Sequence, residues 1–211
     1  DWRSIRLPGE GTLYSNAGNI SVSSDFLSAR LAGDNTLSLD DWPQAPMQLQ
    51  ALVDLQGITI DSYNIETLDG QVSGHGRIEY SDKLNGQLQI SATQLNTTYL
   101  REELPGRIDF DASLLIESID TFVIDVSSAN ALLSDKAISG QGRARWRGEK
   151  LAAIDAELAA GSNQLSASVK LDTRLAGSIK ADAPELAMLW PGLKGKLDAS
   201  IILGGSPDQP Q

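Results

Sequence analysis

Apolar and polar residues alternate with a period of two along most of this chain. The alternation is plain in residues 47–55, where one parity holds Met47, Leu49, Ala51, Val53 and Leu55. A period of two is typical of a β-strand with one apolar and one polar face. Because the same pattern recurs through the rest of the chain, the sequence predicts an all-β protein.

Short segments rich in turn-forming residues, such as Leu68–Gly70 and Gly161–Asn163, separate the alternating runs. Links this short join antiparallel neighbours, since a parallel pair needs a crossover of about a dozen residues. The combined apolar side of these strands is too large to remain open to water. A sandwich, a closed barrel or a trough filled by an apolar ligand would each cover it. We expect a long antiparallel sheet curled into a U-shaped β-groove with an aliphatic interior.

The lining of this groove is predicted from parity alone. Small residues of the same parity, among them Gly74, Gly76, Gly140 and Gly142, suit tight curvature or a partly empty lumen. The predicted lining residues are Leu49, Val53, Ile58, Ile60, Val72, Ile78, Leu88, Ile90, Ile108, Phe110, Leu114, Phe122, Ile124, Val126, Ile138, Trp146, Ile154, Leu158, Leu165, Val169, Ile179, Leu197 and Ile201.

Three segments depart from the simple alternation. A change of phase at Asp61–Ser62 predicts a β-bulge. Thr97–Glu103 and Pro184–Trp190 are predicted to form one or two helical turns each. The second segment is predicted to plug one end of the sheet or, alternatively, to form a lid over the groove, through the side chains of Leu186, Leu189 and Trp190.

The chain also repeats itself. Gly177–Ala199 reads as a strand, a kinked segment, a Pro-Gly turn and a second strand, and Gly86–Ala112 reads the same way. Recurring units of this kind indicate an architecture that grows by stacking. We expect one module over residues 1–204, with related repeats at about 47–116 and 136–204, a less regular N-terminal third, and a linker-like tail at 205–211. We also expect the chain to be a segment of a longer protein.

Composition narrows the function classes. The net charge is −11 and the basic residues form no cluster in the sequence, so a nucleic acid is an unfavourable partner. Cysteine is absent, which excludes disulfides and thiolate metal sites. Aromatic residues make up only 5% of the chain, so the apolar parity is aliphatic.

No set of residues in the sequence assembles an active site. His75 is the sole histidine and has the polar parity, which favours a solvated strand residue. Asp109 and Asp111 share one face but lack the glycine and glutamate of a calcium loop. We therefore predict no enzyme activity, no metal and no cofactor. The basic stripe Arg143, Arg145 and Arg147 is predicted to pair with Asp155 and Glu157 across strands, or else to contact lipid headgroups.

Several phrases resemble the AsmA-like superfamily of bridge-like β-groove lipid transport proteins. They are Gly161–Leu171, Ala181–Leu193 with Gly195–Leu197, and Leu68–Ile78. The resemblance covers about Met47 to Ser206 and is strongest in the last fifty residues.

The resemblance implies a periplasmic segment of an inner-membrane-anchored protein in a Gram-negative bacterium. Such proteins shield phospholipid acyl chains in a groove during inner-to-outer membrane lipid transport and outer membrane biogenesis. It also implies, for the full-length protein, a TamA-like outer-membrane barrel of the Omp85 type as partner, with that contact outside this segment. Two alternatives remain: a chaperone or scaffold for outer-membrane protein (autotransporter) assembly, which binds strands by β-augmentation, and a stalk-like sheet with no ligand.

Overall fold

A computed structural model describes residues 4–6, 12–25, 27–39, 44–80, 83–99, 105–148, 150–171, 174–188, 193–206 and 209–210. These residues form β-strands and two short 3₁₀ turns. The strands are β1 Ser4–Arg6, β2 Thr12–Ser24, β3 Ser28–Leu39, β4 Ala45–Asp54, β5 Gly57–Thr67, β6 Gly70–Glu79, β7 Asn85–Asn96, β8 Gly106–Ser118, β9 Thr121–Leu133, β10 Lys136–Arg147, β11 Lys150–Ala160, β12 Asn163–Leu171, β13 Leu175–Ala183, β14 Leu197–Leu203, β15 Gly205–Ser206 and β16 Gln209–Pro210.

Strands β1–β14 form one sheet in which the spatial order is the chain order. Each pair of neighbours is antiparallel, as the short links require. The edge strands β1 and β14 do not pair with each other, so the described sheet is open. The prediction of a long antiparallel sheet is confirmed. In the predicted tail, β15 and β16 pair as a separate two-stranded unit.

Bulges bend the strands of this sheet. The pairing of β5 with both neighbours shifts register beside Asp61, as the sequence predicts. Further shifts lie at Gln94 in β7, Ser127 in β9 and Ala152 in β11. Gln94 has φ 57°, in the left-handed region. Because a bulge bends its strand and increases the local twist, the bulges curl the open sheet.

The N-terminal third is more regular than its sequence indicates. β2 and β3 are 13 and 12 residues long and pair along almost their whole length. In contrast, β1 pairs only with Thr12–Tyr14, so most of β2 lies at an open edge of the described sheet.

The turns of the meander fall on two rims. The first rim holds the links that follow even-numbered strands, such as β4–β5 and β8–β9, and the second rim holds the links that follow odd-numbered strands. Two hairpins on the second rim turn through pairs of left-handed residues, Leu68–Asp69 and Ser134–Asp135. These are two-residue turns whose positive φ values match the twist of the flanking strands.

Aspartate side chains hold three turns of the first rim. Asp25 Oδ1 accepts hydrogen bonds from the backbone N–H groups of Leu27 and Ser28, and Asp54 Oδ1 accepts from those of Gln56 and Gly57. Asp120 accepts from the hydroxyls of Ser118 and Thr121. The side chain of an aspartate thus satisfies donors that the turn leaves unpaired.

On the second rim, two longer links fold back onto earlier hairpins. The first link begins with the 3₁₀ turn Thr97–Tyr99. The Asn96 amide donates to Asp69 Oδ2 at 3.0 Å, and the Asn96 backbone N–H donates to the Leu68 carbonyl at 2.7 Å. These bonds attach the β7–β8 link to the β5–β6 turn, beside a small core of Leu68, Ala92 and Leu95.

The second link contains the 3₁₀ turn Leu186–Met188 and attaches in a related way to the β11–β12 turn. The Asn163 side chain, 2% exposed, donates to the Glu185 carbonyl at 2.9 Å and accepts from the Glu185 N–H at 3.0 Å. Lys136 Nζ donates to the Ala187 carbonyl. The two predicted helical turns are therefore present in part. Residues 100–104 and 189–192, with Leu189 and Trp190, lie outside the described residues.

The polar face of the sheet contains a buried apolar side chain. Val123 is 1% exposed and lies between Leu115 and Arg145 in the register. Arg145 reaches from β10 across β9 to Glu117 on β8, with 2.6 Å between Nη2 and Oε1. The arginine stem thus covers Val123 while its guanidinium stays paired.

This ion pair corrects the expected pairing of the basic stripe. Glu157 accepts a hydrogen bond from Gln141, and Asp155 accepts one from the Ser168 hydroxyl. Arg143 lies opposite Asp155 but forms no ion pair with any described residue. The expectation was wrong because shorter polar side chains occupy the carboxylates, and Arg145 is long enough to reach a third strand.

Stability should fall in acid through the first-rim aspartates. The pKa of Asp54 lies below its ordinary value of 3.8, first because of the hydrogen bond from the Gln56 N–H, and the pKa of Asp25 is lowered mainly by the Ser28 N–H. A lowered pKa in the folded state adds stability that is present above the unfolded pKa and lost as pH falls through the folded value. In urea unfolding, we expect Asp54→Asn to lower the midpoint at pH 7, with a difference that shrinks as the pH falls below the ordinary pKa of 3.8 and through the lowered pKa of the folded state.

Asp198→Asn is the matched control, since no hydrogen bond to Asp198 is found among the described residues. A wild-type advantage over Asp54→Asn that persists unchanged at pH 2 would contradict this role of the Asp54 charge.

Removal of the Asn163 amide should release the second link. Asn163→Ala deletes two hydrogen bonds and leaves the Glu185 N–H without its acceptor, while the Glu185 carbonyl still accepts from the Met188 N–H. We expect a loss of about 1–3 kcal/mol of unfolding free energy. The Glu185 amide should also lose protection in hydrogen exchange. Asn130→Ala, at an exposed position on β9, should stay within about 0.5 kcal/mol of the wild type. Equal losses in both variants, with the Glu185 amide still protected, would contradict the attachment.

Candidate functional site

One face of the sheet is apolar from β2 to β14, because the register keeps residues of the same parity opposite one another. A continuous row of directly paired positions crosses thirteen strands: Val22, Leu31, Ala51, Ile60, Gly76, Leu88, Leu114, Ile124, Ala144, Ile154, Val169, Gly177 and Leu203. Directly paired residues point to the same side of a sheet. Twelve strand spacings of about 4.8 Å make this row roughly 58 Å long.

A second row runs beside it, two residues away on every strand except β5, where the bulge makes the separation three. It contains Ile20, Gly33, Leu49, Tyr63, Gly74, Ile90, Ala112, Val126, Gly142, Ala156, Ala167, Ile179 and Ile201. We call the side that carries these rows the apolar face and the opposite side the polar face. The bulges insert their extra residue between rows, so the rows themselves are not interrupted.

The structure places every predicted lining residue on the apolar face. Those outside the two rows stand in flanking rows of the same parity, for example Ile58, Ile78, Phe122 and Trp146 towards the first rim. Ile108 and Ile138 stand towards the second rim. Strict period-two alternation with short links brings residues from eleven strands to one surface.

The apolar face is not covered by a second layer among the described residues. Of the predicted lining side chains, Val169 is buried, and four are more than 40% exposed: Leu158, Leu165, Leu197 and Ile201. The remainder are half-buried. A sandwich would bury this face, so the described sheet leaves a large aliphatic surface in contact with solvent.

The apolar face has few polar side-chain atoms. In the middle of the face, the hydroxyl of Tyr63 is hydrogen-bonded. Tyr63 lies across Gly74, where a Cβ would come within 2.6 Å of the tyrosine hydroxyl. Its hydroxyl donates to the Gln89 carbonyl at 3.3 Å, and burial raises its pKa. The face therefore offers apolar contact rather than hydrogen bonds to a bound molecule.

The two rims border this face differently. Towards the first rim, Phe122 and Trp146 stack with ring centroids 5.3 Å apart and planes within 9°. Towards the second rim, Ala160, Asn163 and Ala183 are buried beside the folded-back link. Leu186 is half-buried in that link. The predicted lid or plug is thus represented in the described residues by Leu186 alone.

On the described part of the polar face, the residues considered for chemistry are exposed or form local hydrogen bonds. His75 is exposed on β6, opposite Gln89. Asp109 accepts from the Gln94 backbone N–H, and Asp111 accepts from the hydroxyl of Ser91. Among the described residues, no three potential metal ligands lie close enough to hold an ion. An open depression of about 710 Å³ over β9–β13 is lined mainly by serine, amide and charged side chains.

Parity reasoning missed several apolar-face residues at strand ends. Leu151 pairs with Trp146, and Leu171 pairs with Leu175, which places all four at the first-rim edge of the face. Leu171 and Leu175 lie two positions from Val169 and Gly177 and continue the same alternation, but the predicted lining does not include them. In the described part of the chain, no helix has the length and apolarity to cross a membrane.

Comparison with known proteins places this sheet in a family. The family model of the TamB N-terminal domain matches residues 1–211. The translocation and assembly module subunit TamB of Haemophilus influenzae is 24% identical over 197 residues, which cover 90% of this chain. The chain spans about 15% of the length of that relative. No solved structure matches the chain significantly.

Proposed function

Because the chain belongs to the TamB family, we propose that it is a periplasmic segment of a translocation and assembly module subunit that carries phospholipid acyl chains on its apolar face. The observation that supports this is the uncovered aliphatic surface that continues in register across thirteen strands. On this proposal the full-length protein is anchored in the inner membrane of a Gram-negative cell and serves outer membrane biogenesis.

The chemistry of the face supports acyl chains as the ligand. Burial of apolar area is worth about 25 cal/mol per Å², so a flexible aliphatic chain gains free energy wherever it lies on the face. The face has few polar atoms that could fix the orientation of a bound molecule. The Tyr63 hydroxyl already donates to the Gln89 carbonyl. Such a surface binds an acyl chain through many weak apolar contacts and not at one fixed point. This suits movement of the acyl chain along the rows.

The small side chains of the second row also favour an acyl chain as the ligand. Between Ile90 and Ile179, the second row contains mostly small side chains, namely Ala112, Val126, Gly142, Ala156 and Ala167. Larger side chains, such as Ile124, Ile154 and Leu158, stand in the rows on either side. The second row therefore forms a shallow groove in the apolar face, and this groove runs across the strands.

A second function rests on the open edges. β14 has no partner beyond it in the described sheet, and Ile202 on its polar side is 82% exposed. A free edge pairs readily with an incoming strand. A scaffold for outer-membrane protein assembly with a TamA-like barrel partner would use this edge and not the apolar face, so the two functions predict different sensitive residues.

A carboxylate on the apolar face should block lipid transport. Leu165 and Ser166 are neighbours on β12 that face opposite sides, so Leu165→Asp and Ser166→Asp add the same charge to the apolar and the polar face. An unpaired carboxylate among acyl chains costs several kcal/mol. In the full-length protein, we expect Leu165→Asp to abolish a phospholipid-transport phenotype and Ser166→Asp to preserve it.

Circular dichroism should show intact strands for both variants, because Leu165 is 41% exposed without ligand. Normal transport by a folded Leu165→Asp variant would contradict the proposal. Loss of outer-membrane protein insertion with normal lipid transport, after proline substitution in β14, would favour the scaffold instead.

A further inference from the structure

The first rim changes the sign of its charge along the sheet. On β4, β6 and β8, the last residues before the turn include Asp54, Glu79 and Glu117, each next to a large apolar-face residue. On the four strands β10–β13 the corresponding neighbours are basic. They are the pairs Trp146–Arg147, Lys150–Leu151, Lys170–Leu171 and Arg174–Leu175.

Each of these four strands therefore ends in one cation and one large apolar side chain. The register brings the apolar members together, since Trp146 pairs with Leu151 and Leu171 pairs with Leu175. It also brings Arg147 opposite Lys150. Arg147, Lys150 and Arg174 stand one position nearer the turn than the apolar members, so they border the edge of the apolar face. Lys170 stands one position further into the sheet, opposite Ala153 and Ala176. No such cluster is visible in the linear sequence, because about twenty residues separate Lys150 from Lys170.

We call the four basic side chains Arg147, Lys150, Lys170 and Arg174 the basic rim. All four are exposed, but they differ in their interactions with carboxylates. Arg147 interacts with the Asp120 region, where it contributes to the lowered pKa of that carboxyl behind the hydrogen bonds from Ser118 and Thr121. Lys150, Lys170 and Arg174 form no ion pair with a described residue. Within the described part of these two hairpins, three cations thus stand without an ion pair, in a chain whose net charge is −11.

We propose that the basic rim binds the phosphate of a phospholipid whose acyl chains lie on Trp146, Leu151, Leu171 and Leu175. The inference rests on the proposed function and adds to it the position and chemistry of headgroup recognition. A phospholipid presents a phosphate immediately beside two acyl chains, and the basic rim presents cations immediately beside an apolar edge. Lysine and arginine are the side chains that bind phosphate in water. At the strand ends of β4, β6 and β8 the same rim has the carboxylates Asp54, Glu79 and Glu117, which lie within ion-pair distance of Arg77 or Arg145.

A local readout in the full-length protein tests this inference. A benzophenone amino acid in place of Leu151 reports amphiphiles at the basic rim, and one in place of Ile138 reports them near the second rim. The probes share one tail length: lysophosphatidylglycerol, lysophosphatidylcholine and an alkyl maltoside without phosphate. Mass spectrometry of the crosslinked peptide counts the adducts.

At position 151 we expect the phosphate-bearing amphiphiles to outcompete the maltoside roughly fivefold at low salt, as a few exposed ionic contacts allow. The variant Lys150→Gln, Lys170→Gln, Arg174→Gln should abolish that preference while it keeps the maltoside adduct. The matched control Lys180→Gln, Lys194→Gln, Lys196→Gln removes the same charge from other exposed positions and should keep the preference. At position 138 neither triple variant should change the adducts.

Equal adducts from all three probes at position 151 would overturn the basic rim and leave the acyl-chain proposal intact. Adducts at neither position, from any probe, would overturn both. Competition by inorganic phosphate at the concentration of the lysolipid would show a site for free anions and not for lipid headgroups, which also overturns the inference.

Discussion

The rest of the structure depends on the continuous backbone pairing that keeps one parity on one face across thirteen strands. A shift of a single residue in any pair would move all apolar side chains of the following strands to the polar face. Here the register never shifts in that way. Each bulge adds its extra residue between two rows, so Val126 and Ala129, on either side of Ser127, both remain on the apolar face. The sheet thereby bends without losing its sidedness.

An open, one-faced sheet of this length normally gains stability by burying its apolar side. This sheet gains part of its stability elsewhere, in backbone pairing between neighbours and in local devices at the rims. Asn163 holds one link against the β11–β12 turn, and Asp54 and Asp25 hold first-rim turns. The Arg145–Glu117 ion pair covers Val123 on the polar face. Because these devices lie away from the middle of the apolar face, that surface stays available to a ligand.

The sequence predicted the parts of the structure that follow from period two. The shared face of the apolar-parity residues, the antiparallel order of the strands and the bulge at Asp61 all follow from local alternation and link length, which do not depend on distant contacts. The N-terminal third was underestimated because β2 and β3 contain polar or small residues such as Gly18, Gly33 and Asn35 on the apolar parity. These strands form because β2 pairs with β3 and β3 pairs with β4, which the local pattern does not report.

What the sequence did not predict depends on side-chain reach across strands. The pairing of Arg145 with Glu117 spans three strands, and the attachment of Asn163 to Glu185 joins residues 22 positions apart. The cations of the basic rim meet only because two hairpins place strand ends side by side. These features need the register as well as the alternation, and they are the ones that distinguish the two rims.

The central claim is that the apolar face carries phospholipid acyl chains. Native mass spectrometry of the protein, purified from Gram-negative cells without detergent, tests it most directly. The account predicts folded charge states with additional mass equal to one or more phospholipids, released as intact lipid on collisional activation. A folded protein that carries only its own mass, and that remains so after incubation with phospholipid vesicles, would contradict the claim.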